Sequence, residues 1–355
     1  MQDLQNLSKD RTALMEIVLI PALQPDEKLL QTLAELHSRG MKTLVVDDGS
    51  GADYDEIFEK ARACGTCVLR LAENRGKGGA LKYGMRQLRS LFPDCTGCIT
   101  ADADGQHRTK DILRVQQALR GGAEFVLTVR ALRGDIPKTS KLGNTMSRYI
   151  YTVLTGHYFR DNQSGLRGFS AAQLPWLCAV PGEKYDYELN VLLYADKQRI
   201  PITTLPIDTV YIDDNASSHF DALHDTMRIY KLLFSQSYPR FLGITLSSLS
   251  SLALSFFVHG AQYGIAAFYA VLLGGLLEVL LCRFAAFSAV HYRDGWACLL
   301  RAALRGGALG GFCALLLWCF PALFPFAAFL LGGALLLPVR YLFHKATRML
   351  PRKPR

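Results

Sequence analysis

Near Tyr238 the sequence changes the solvent it is suited to. Before that point charged and apolar residues are mixed, as in a water-soluble domain. After it, long runs almost free of charge follow one another, which is the pattern of segments that cross a hydrocarbon core. At 355 residues the chain exceeds one ordinary domain. The expected organisation is a soluble α/β domain over residues 1–220, a juxtamembrane helix over 221–240, and a membrane domain over 241–355.

The formal net charge is +9, but the excess Lys and Arg gathers at the ends of apolar runs and in the final tail. Anionic lipid headgroups account for that placement, and nucleic acid is not an expected partner: there is no zinc-finger spacing, aromatic-and-basic RNA motif or basic recognition helix. Residues 1–15 have no continuous apolar core, so no cleavable signal peptide is expected. Nine cysteines, an odd number and partly inside the apolar runs, do not form a secreted disulfide framework and fit a reducing compartment. Two C-x-x-C pairs, Cys64/Cys67 and Cys95/Cys98, could suggest zinc. In a doubly wound sheet of order 3-2-1-4, however, they enter strands three positions apart, roughly 14 Å, too far for one tetrahedral site.

That sheet order follows from the alternation in the first half. Short β-type runs at residues 16–20, 43–46, 67–71 and 98–101 are separated by helical periodicity near 26–39, 54–63 and 78–91, and a further apolar strand spans 125–129. In such a sheet ligands bind beyond the carboxyl ends of the strands. Three polar loops sit there: Asp47-Asp48-Gly49-Ser50, Asn74-Arg75-Gly76-Lys77-Gly78-Gly79, and Asp102-Ala103-Asp104-Gly105-Gln106-His107. Asp102 and Asp104, alternating across a strand end with Gln106 close by, offer hard oxygen ligands for Mg2+ or Mn2+ shared with a diphosphate. Arg75 and Lys77, among glycines at a helix start, complement that charge, and backbone amides and the helix dipole there also favour an anion.

Taken together, VVDDGS at 45–50, ENRGKGGAL at 73–81, DADGQH at 102–107, DNQSGLRGF at 161–169 and NASSHF at 215–220 resemble the family 2 glycosyltransferases. They are most similar to the dolichol-phosphate-mannose-synthase-like branch, which loads sugars onto polyprenyl phosphate. The resemblance implies a GT-A, Rossmann-like catalytic domain. It places Pro21, Ala22, Asp47, Asp48, Lys77 and Asp102 beside the nucleotide sugar and makes Asp104 and Gln106 metal ligands. Arg130 falls next to the phosphates, with Asp102, Asp104 and Arg130 as the catalytic set. Arg130, Lys138, Lys141, Gln163, Ser164, Arg167 and His219 fall on the acceptor side, in part on the loop 161–167.

The chain departs from the family at two points. The opening Pro-Ala-Tyr-Asn-Glu reads Pro21-Ala22-Leu23-Gln24-Pro25, so the ribose-side acid is absent unless Asp26 or Glu27 replaces it. Asp213 and His219 stand where mannose-type relatives carry Arg and Lys. Glu188, in Tyr185-Asp186-Tyr187-Glu188, reads either as a group orienting acceptor or sugar or as a helix-start carboxylate. His107 and His219 read either as polar loop residues or as substrate contacts.

In the second half, residues 221–238 form an amphipathic pattern, with Leu223, Met227, Tyr230 and Phe234 on one stripe. Four apolar runs follow at 241–258, 263–281, 302–320 and 324–341. The turns at 259–262 and 321–325 lack Lys and Arg. Arg283, Arg293, Arg301 and Arg305 fill the central loop, and Lys345, Arg348, Arg352, Lys353 and Arg355 fill the tail, which makes both termini cytoplasmic. The arrangement, with its RFAAF exit at 283–287, resembles a GtrA-like four-helix transmembrane domain. Glu278, near the end of the second run, reads either as functional or as a partner of Arg283.

The expected function is transfer of a hexose or related sugar from a UDP- or GDP-linked donor to a polyprenyl phosphate, by metal-dependent inverting displacement at the cytoplasmic membrane face. A polysaccharide or glycolipid glycosyltransferase, and a lipid-linked-sugar flippase or binding protein with an inactive transferase half, stand as alternatives. Membrane lipids are expected partners, and a homo-oligomer is left open.

Overall fold

The computed structural model describes residues 15–131, 145, 148–149, 151–152, 158–184, 186–198, 200–208, 238–284 and 295–349. Contacts divide the chain into two units, Met1–Asn144 with Arg160–Ile229, and Thr145–Phe159 with Tyr230–Arg355.

The first unit is built on one seven-stranded sheet of order β3-β2-β1-β4-β6-β5-β7. Its central strand, β1 (Met15–Ala22), is almost continuously apolar, and Ile17, Val18, Leu19 and Ile20 are fully buried. That is the composition of a strand covered on both faces. β2 (Lys42–Asp47) pairs parallel to it from Ile17↔Lys42 to Ala22↔Asp47, and β3 (Cys67–Arg70) pairs parallel to β2. β4 (Cys95–Thr100) pairs parallel to β1 on the other side. The expected 3-2-1-4 order is present, so the two C-x-x-C pairs do enter strands at opposite ends of that set.

Two boundaries differ from expectation. β4 begins at Cys95 rather than 98, because its pairing with β1 starts at Met15↔Cys95; from Gly97 on, β6 also approaches, and a Cβ on Gly97 would lie 3.1 Å from the Phe169 carbonyl oxygen. The strand ends at Thr100, where its register with β1 closes at Leu19↔Thr100. Asp102 and Asp104 therefore stand on the turn after the strand rather than alternating across it.

Beyond β4 lie β6 (Arg167–Ser170), antiparallel to both neighbours, then β5 (Phe125–Ala131) and β7 (Ile202–Asp208), which are parallel to each other. Arg167, expected on a loop, is thus the first residue of a central strand.

Helices cover the sheet. α1 (Glu27–Ser38) starts at Asp26, whose Oδ1 accepts the Lys28 amide at 2.9 Å, and it buries Leu29, Leu33 and Leu36. Such fully buried leucines contribute about 1.5–3 kcal/mol each relative to exposure. α2 (Asp55–Ala63), α3 (Lys77–Leu91) and α4 (Thr109–Arg120) follow β2, β3 and β4. α5 (Leu174–Ala179) and α6 (Asp186–Lys197) come between β6 and β7. Each βα junction sends its loop to the carboxyl edge of the sheet, which is why the polar loops gather there.

The second unit contains α7 (Tyr238–Ser255), α8 (Tyr263–Phe284), α9 (Gly295–Cys319) and α10 (Pro325–Met349). Arg301 and Arg305, expected in a loop, lie within α9, because the helix begins seven residues before the apolar run from 302. Backbones of α8 and α9 come close where neither residue has a side chain: a Cβ on Gly264 would lie 2.5 Å from the Gly310 carbonyl oxygen. Tyr263, Cys313, Leu317 and Phe329 are buried between helices, whereas Phe257, Trp318, Ile265 and Leu304 stand 83, 73, 65 and 65% exposed. Among the described residues, no helix is long and apolar enough to cross a membrane. The amphipathic pattern at 221–237, with Asp213, His219, Lys138, Lys141, Arg293, Arg352, Lys353 and Arg355, lies outside the described residues.

Candidate active site

Pro21 and Ala22 end β1, and the Ala22 carbonyl accepts the Asp48 amide at 2.8 Å. Of the two aspartates that end β2, Asp47 is fully buried and engaged in the fold: Oδ1 accepts the Ser50 amide and Oδ2 the Arg70 Nε–H, both at 2.8 Å. Asp48 Oδ1 accepts the Arg75 amide at 2.8 Å and so tethers the glycine-rich loop. Burial raises the Asp48 pKa, against the amides of Arg75 and Gly76. Gln24, where the family pattern departs, adopts φ 50 and donates its amide to Ser50 Oγ at 2.8 Å. A left-handed non-glycine residue is strain of the kind that gathers at functional crevices.

The glycine-rich loop is not an open cradle of amides. Besides Arg75 N–H on Asp48, Gly76 N–H donates to Asn74 Oδ1 at 2.8 Å and Gly79 N–H to the Glu183 carbonyl at 2.9 Å. The glycines serve close packing. Gly76 has φ 82, and a Cβ on it would sit 2.6 Å from the Glu183 oxygen; one on Gly78 would strike the Tyr187 side chain. The expectation that these amides favour an anion is corrected accordingly, since three of them are used by the protein itself.

The loop's charge is carried by Lys77, whose Nζ lies 2.6 Å from Asp102 Oδ1 and 2.8 Å from Glu188 Oε1. Its side chain is 17% exposed, and those of Asp102 and Glu188 are 28% and 10% exposed. Burial opposes the Lys77 charge, but the two carboxylates outweigh it and raise its pKa. Burial likewise opposes ionisation of Asp102, and Lys77 followed by His107 overrides it, holding that carboxyl down to about 2. Asp104 goes the other way, raised first by burial and then by its neighbour Asp102. The turn is set locally: Asp104 Oδ1 accepts the Gln106 amide at 3.0 Å, and His107 Nδ1 accepts the Asp102 amide at 3.0 Å.

Facing this turn is the loop 161–166. Thr128 Oγ1 and Ser164 Oγ lie 2.6 Å apart, Thr100 Oγ1 donates to the Gly165 carbonyl at 2.8 Å, and Gln163 N–H donates to Asp161 Oδ1 at 3.0 Å. Ser164 and Arg167 are 1% and 2% exposed. Arg167 Nε donates to the Ser164 carbonyl at 2.9 Å and its Nη1 to the Glu188 carbonyl at 2.6 Å, so both residues brace the site from beneath. Arg130 Nε and Nη2 meet Asp161 Oδ2 and Oδ1 at 2.5 and 3.3 Å. Burial opposes the Asp161 charge, and Arg130 outweighs it, lowering the pKa.

Reading the residues in sequence did not pair Lys77 with Glu188, nor single out Gly165. A Cβ on Gly165 would fall 2.6 Å from Asp102 Oδ2 and 2.8 Å from Lys77 Nζ. The DNQSGLRGF segment carried that signal, but only the strand pairing brings it to Asp102.

Asp102, Asp104 and Gln106 are oxygen donors of the hard type that suits Mg2+ or Mn2+. Among the described residues no group of three or more His, Cys, Asp or Glu is arranged to hold a metal ion.

An uncharacterized protein of Methanocaldococcus jannaschii is 29% identical over 228 residues, 62% of this chain and 92% of the relative. The UDP-N-acetylglucosamine–dolichyl-phosphate N-acetylglucosaminyltransferase of Methanococcus voltae is 27% identical over 237 residues, 61% of this chain and 94% of the relative. A solved structure of glucosyl-3-phosphoglycerate synthase from Mycobacterium tuberculosis, with Mn2+, UDP and glucosyl-3-phosphoglycerate, overlaps with a TM-score of 0.47 at 18% identity, covering 64% of this chain and 81% of that one. Residues 17–173 match the family model described as glycosyl transferase family 2, and they hold most of β1, all of β2 to β6, and the described loops of the site other than Glu183, Lys184 and the start of α6. Residues 17–173 thus resemble the glycosyl transferase family 2 model on a mixed α/β sheet, and the chain is similar to a dolichyl-phosphate sugar transferase.

Proposed function

We propose that the chain transfers a hexose or related sugar from a UDP- or GDP-linked donor to a polyprenyl phosphate at the cytoplasmic face of a membrane, inverting the anomeric carbon. The observation that carries this reading is the Asp102–Lys77 pair beside Asp104 at the carboxyl edge of the sheet. Asp104 and Gln106, with Asp102, would hold Mg2+ or Mn2+, which when bound neutralises the charge of a nucleotide diphosphate leaving group. Lys77 keeps Asp102 ionised and fixed in place. Asp48, just after β2 and tied to the glycine-rich loop, is assigned to the nucleoside on the family resemblance. Asp161 fixes the Arg130 guanidinium at the end of β5, ready to hydrogen-bond phosphate in the way planar donors do. A phosphate monoester is ionised near neutral pH, so an acceptor of this class attacks without a strong base on the protein. Lys138, Lys141, Gln163 and His219 are assigned to the acceptor side on the family resemblance alone. The donor and acceptor named for the Methanococcus voltae relative support both halves of the reaction.

The membrane half of the reading rests on helix length and on exposed apolar side chains. α8 has 22 residues, so at about 1.5 Å per residue it is roughly 33 Å long. That matches a hydrocarbon core of about 30 Å. The exposed Phe257, Ile265, Leu304 and Trp318 need an apolar surrounding, and the clustering of Lys and Arg supports cytoplasmic termini and a GtrA-like arrangement.

The test is incubation of the purified full chain with radiolabelled UDP- and GDP-sugars, undecaprenyl phosphate and Mn2+ or Mg2+. Label should enter the organic phase and be lost with EDTA. Label that appears only on soluble polysaccharide or diacylglycerol would overturn the acceptor assignment.

A further inference from the structure

Lys77 stands between two carboxylates brought together from distant parts of the chain: Asp102 on the turn after β4 and Glu188 in the first turn of α6. An ammonium that met Asp102 alone would cancel the charge a divalent cation needs at that residue. The cluster avoids this, since Asp102, Asp104 and Glu188 against Lys77 leave two net negative charges. Arg130, a further cation near Asp102, is itself paired with Asp161.

Glu188 shares the first turn of α6 with a second carboxylate, Asp186. Asp186, in the same first turn, turns its Oδ1 to the Lys184 amide at 3.0 Å, while Glu188 Oε1 turns to Lys77. Arg167 holds the Glu188 carbonyl at 2.6 Å, so the position of this carboxylate is set from the sheet. A carboxylate that is 10% exposed and directed at one ammonium is costly to desolvate, and it has little use as a surface ion pair.

We infer that Glu188 is a positioning residue for the divalent-cation site: by taking half of the Lys77 ammonium, it lets Lys77 fix Asp102 without neutralising the site. The inference rests on Asp102 and Asp104 being the cation-binding carboxylates. It assigns to α6, beyond the residues that match the family model, a share in metal affinity and leaves the group that attacks the sugar unchanged.

The experiment uses the full chain in detergent, with Mn2+ binding followed by electron paramagnetic resonance of the free ion and, separately, steady-state kinetics. Glu188→Gln should weaken Mn2+ binding by about tenfold or more, as loss of one nearby charge requires. High Mn2+ should restore most of kcat. Glu188→Asp, which keeps the charge, should hold Mn2+ affinity within about threefold. Lys77→Met combined with Glu188→Gln returns the net charge to its original value, and it should bind Mn2+ more tightly than Glu188→Gln alone. Unchanged Mn2+ affinity in Glu188→Gln, or no recovery in the double variant, overturns the inference. Asp104→Ala separates the two claims. If it abolishes Mn2+ binding while Glu188→Gln does not weaken it, only the role of Glu188 fails; if the unsubstituted protein binds no Mn2+, the cation site itself fails, and this inference with it.

Discussion

Gly165→Ala should impair transfer far more than it impairs the fold. The added methyl would lie 2.6 Å from Asp102 Oδ2 and 2.8 Å from Lys77 Nζ, both below any normal carbon contact. Lys77 can swing away, but Asp102 sits on a short side chain in a turn closed by its own amide on His107. Relief therefore requires the carboxylate or the loop 161–165 to move by roughly half an ångström to an ångström. A displacement of about 1 Å in a reacting constellation costs about a hundredfold in rate. Overpacking of this size costs about 1–3 kcal/mol in stability.

Gly168→Ala supplies the comparison, because a Cβ there meets Val115 Cγ1 at 2.5 Å and Leu119 Cδ1 at 3.2 Å, apolar atoms of α4 with no part in the site. Thermal unfolding should show both variants destabilised by similar amounts. Kinetics at saturating donor, lipid phosphate and Mn2+ should show kcat reduced by one to two orders of magnitude in Gly165→Ala only. Equal kcat in the two variants, with equal loss of stability, would refute the claim that the Lys77–Asp102 contact is part of the working site.

Asp104→Ala should abolish transfer with thermal unfolding within about 0.5 kcal/mol of the parent protein, since it removes an oxygen ligand from a turn and not a core contact; undiminished turnover would contradict the metal assignment. Because burial and then Asp102 raise the Asp104 pKa, Mn2+ binding should weaken on acidification at a higher pH than an ordinary aspartate would impose, and a binding curve that is flat down to about pH 4 would refute this. Asp161 has its pKa lowered in the folded protein, with Arg130 outweighing burial, so its stabilisation is present above the unfolded value of 3.8 and is lost as pH falls through the folded value. Asp161→Asn should therefore cost about 1–3 kcal/mol at pH 7, discounted for the partial exposure of Arg130, and the gap from the parent should narrow below about pH 4; a gap independent of pH would remove the ion pair as its cause. Cysteine-accessibility labelling in sealed vesicles should find both termini on the cytoplasmic side and Gln262 outside, and an external tail would overturn the orientation.

Which parts of this fold could be read from sequence depends on how far apart the interacting residues lie. The strands from β1 to β4 were visible because a doubly buried strand must be apolar along its length, and the loops after them were visible because ligands gather at one edge of a parallel sheet. β6 was not, because Arg-Gly-Phe-Ser has neither alternation nor an apolar run. Its strand is made by Gly97 and Gly168 allowing close approach, and its arginine is buried because it reaches the Ser164 and Glu188 carbonyls. The glycine-rich loop shows the same limit at the site itself. Glycines before a helix can bare amides for an anion or can let another segment pack tightly, and both uses leave the same letters in the sequence. The choice here is made by Glu183, Lys184 and Tyr187, which enter from much later in the chain, accept the Gly79 amide and fill the space beside Gly76 and Gly78. Lys77 is thereby left as the loop's charge, and its position is decided by Asp102 and Glu188. The sequence contained each of these three residues, while the balance between them exists only once β4 and α6 have been brought to the same edge of the sheet.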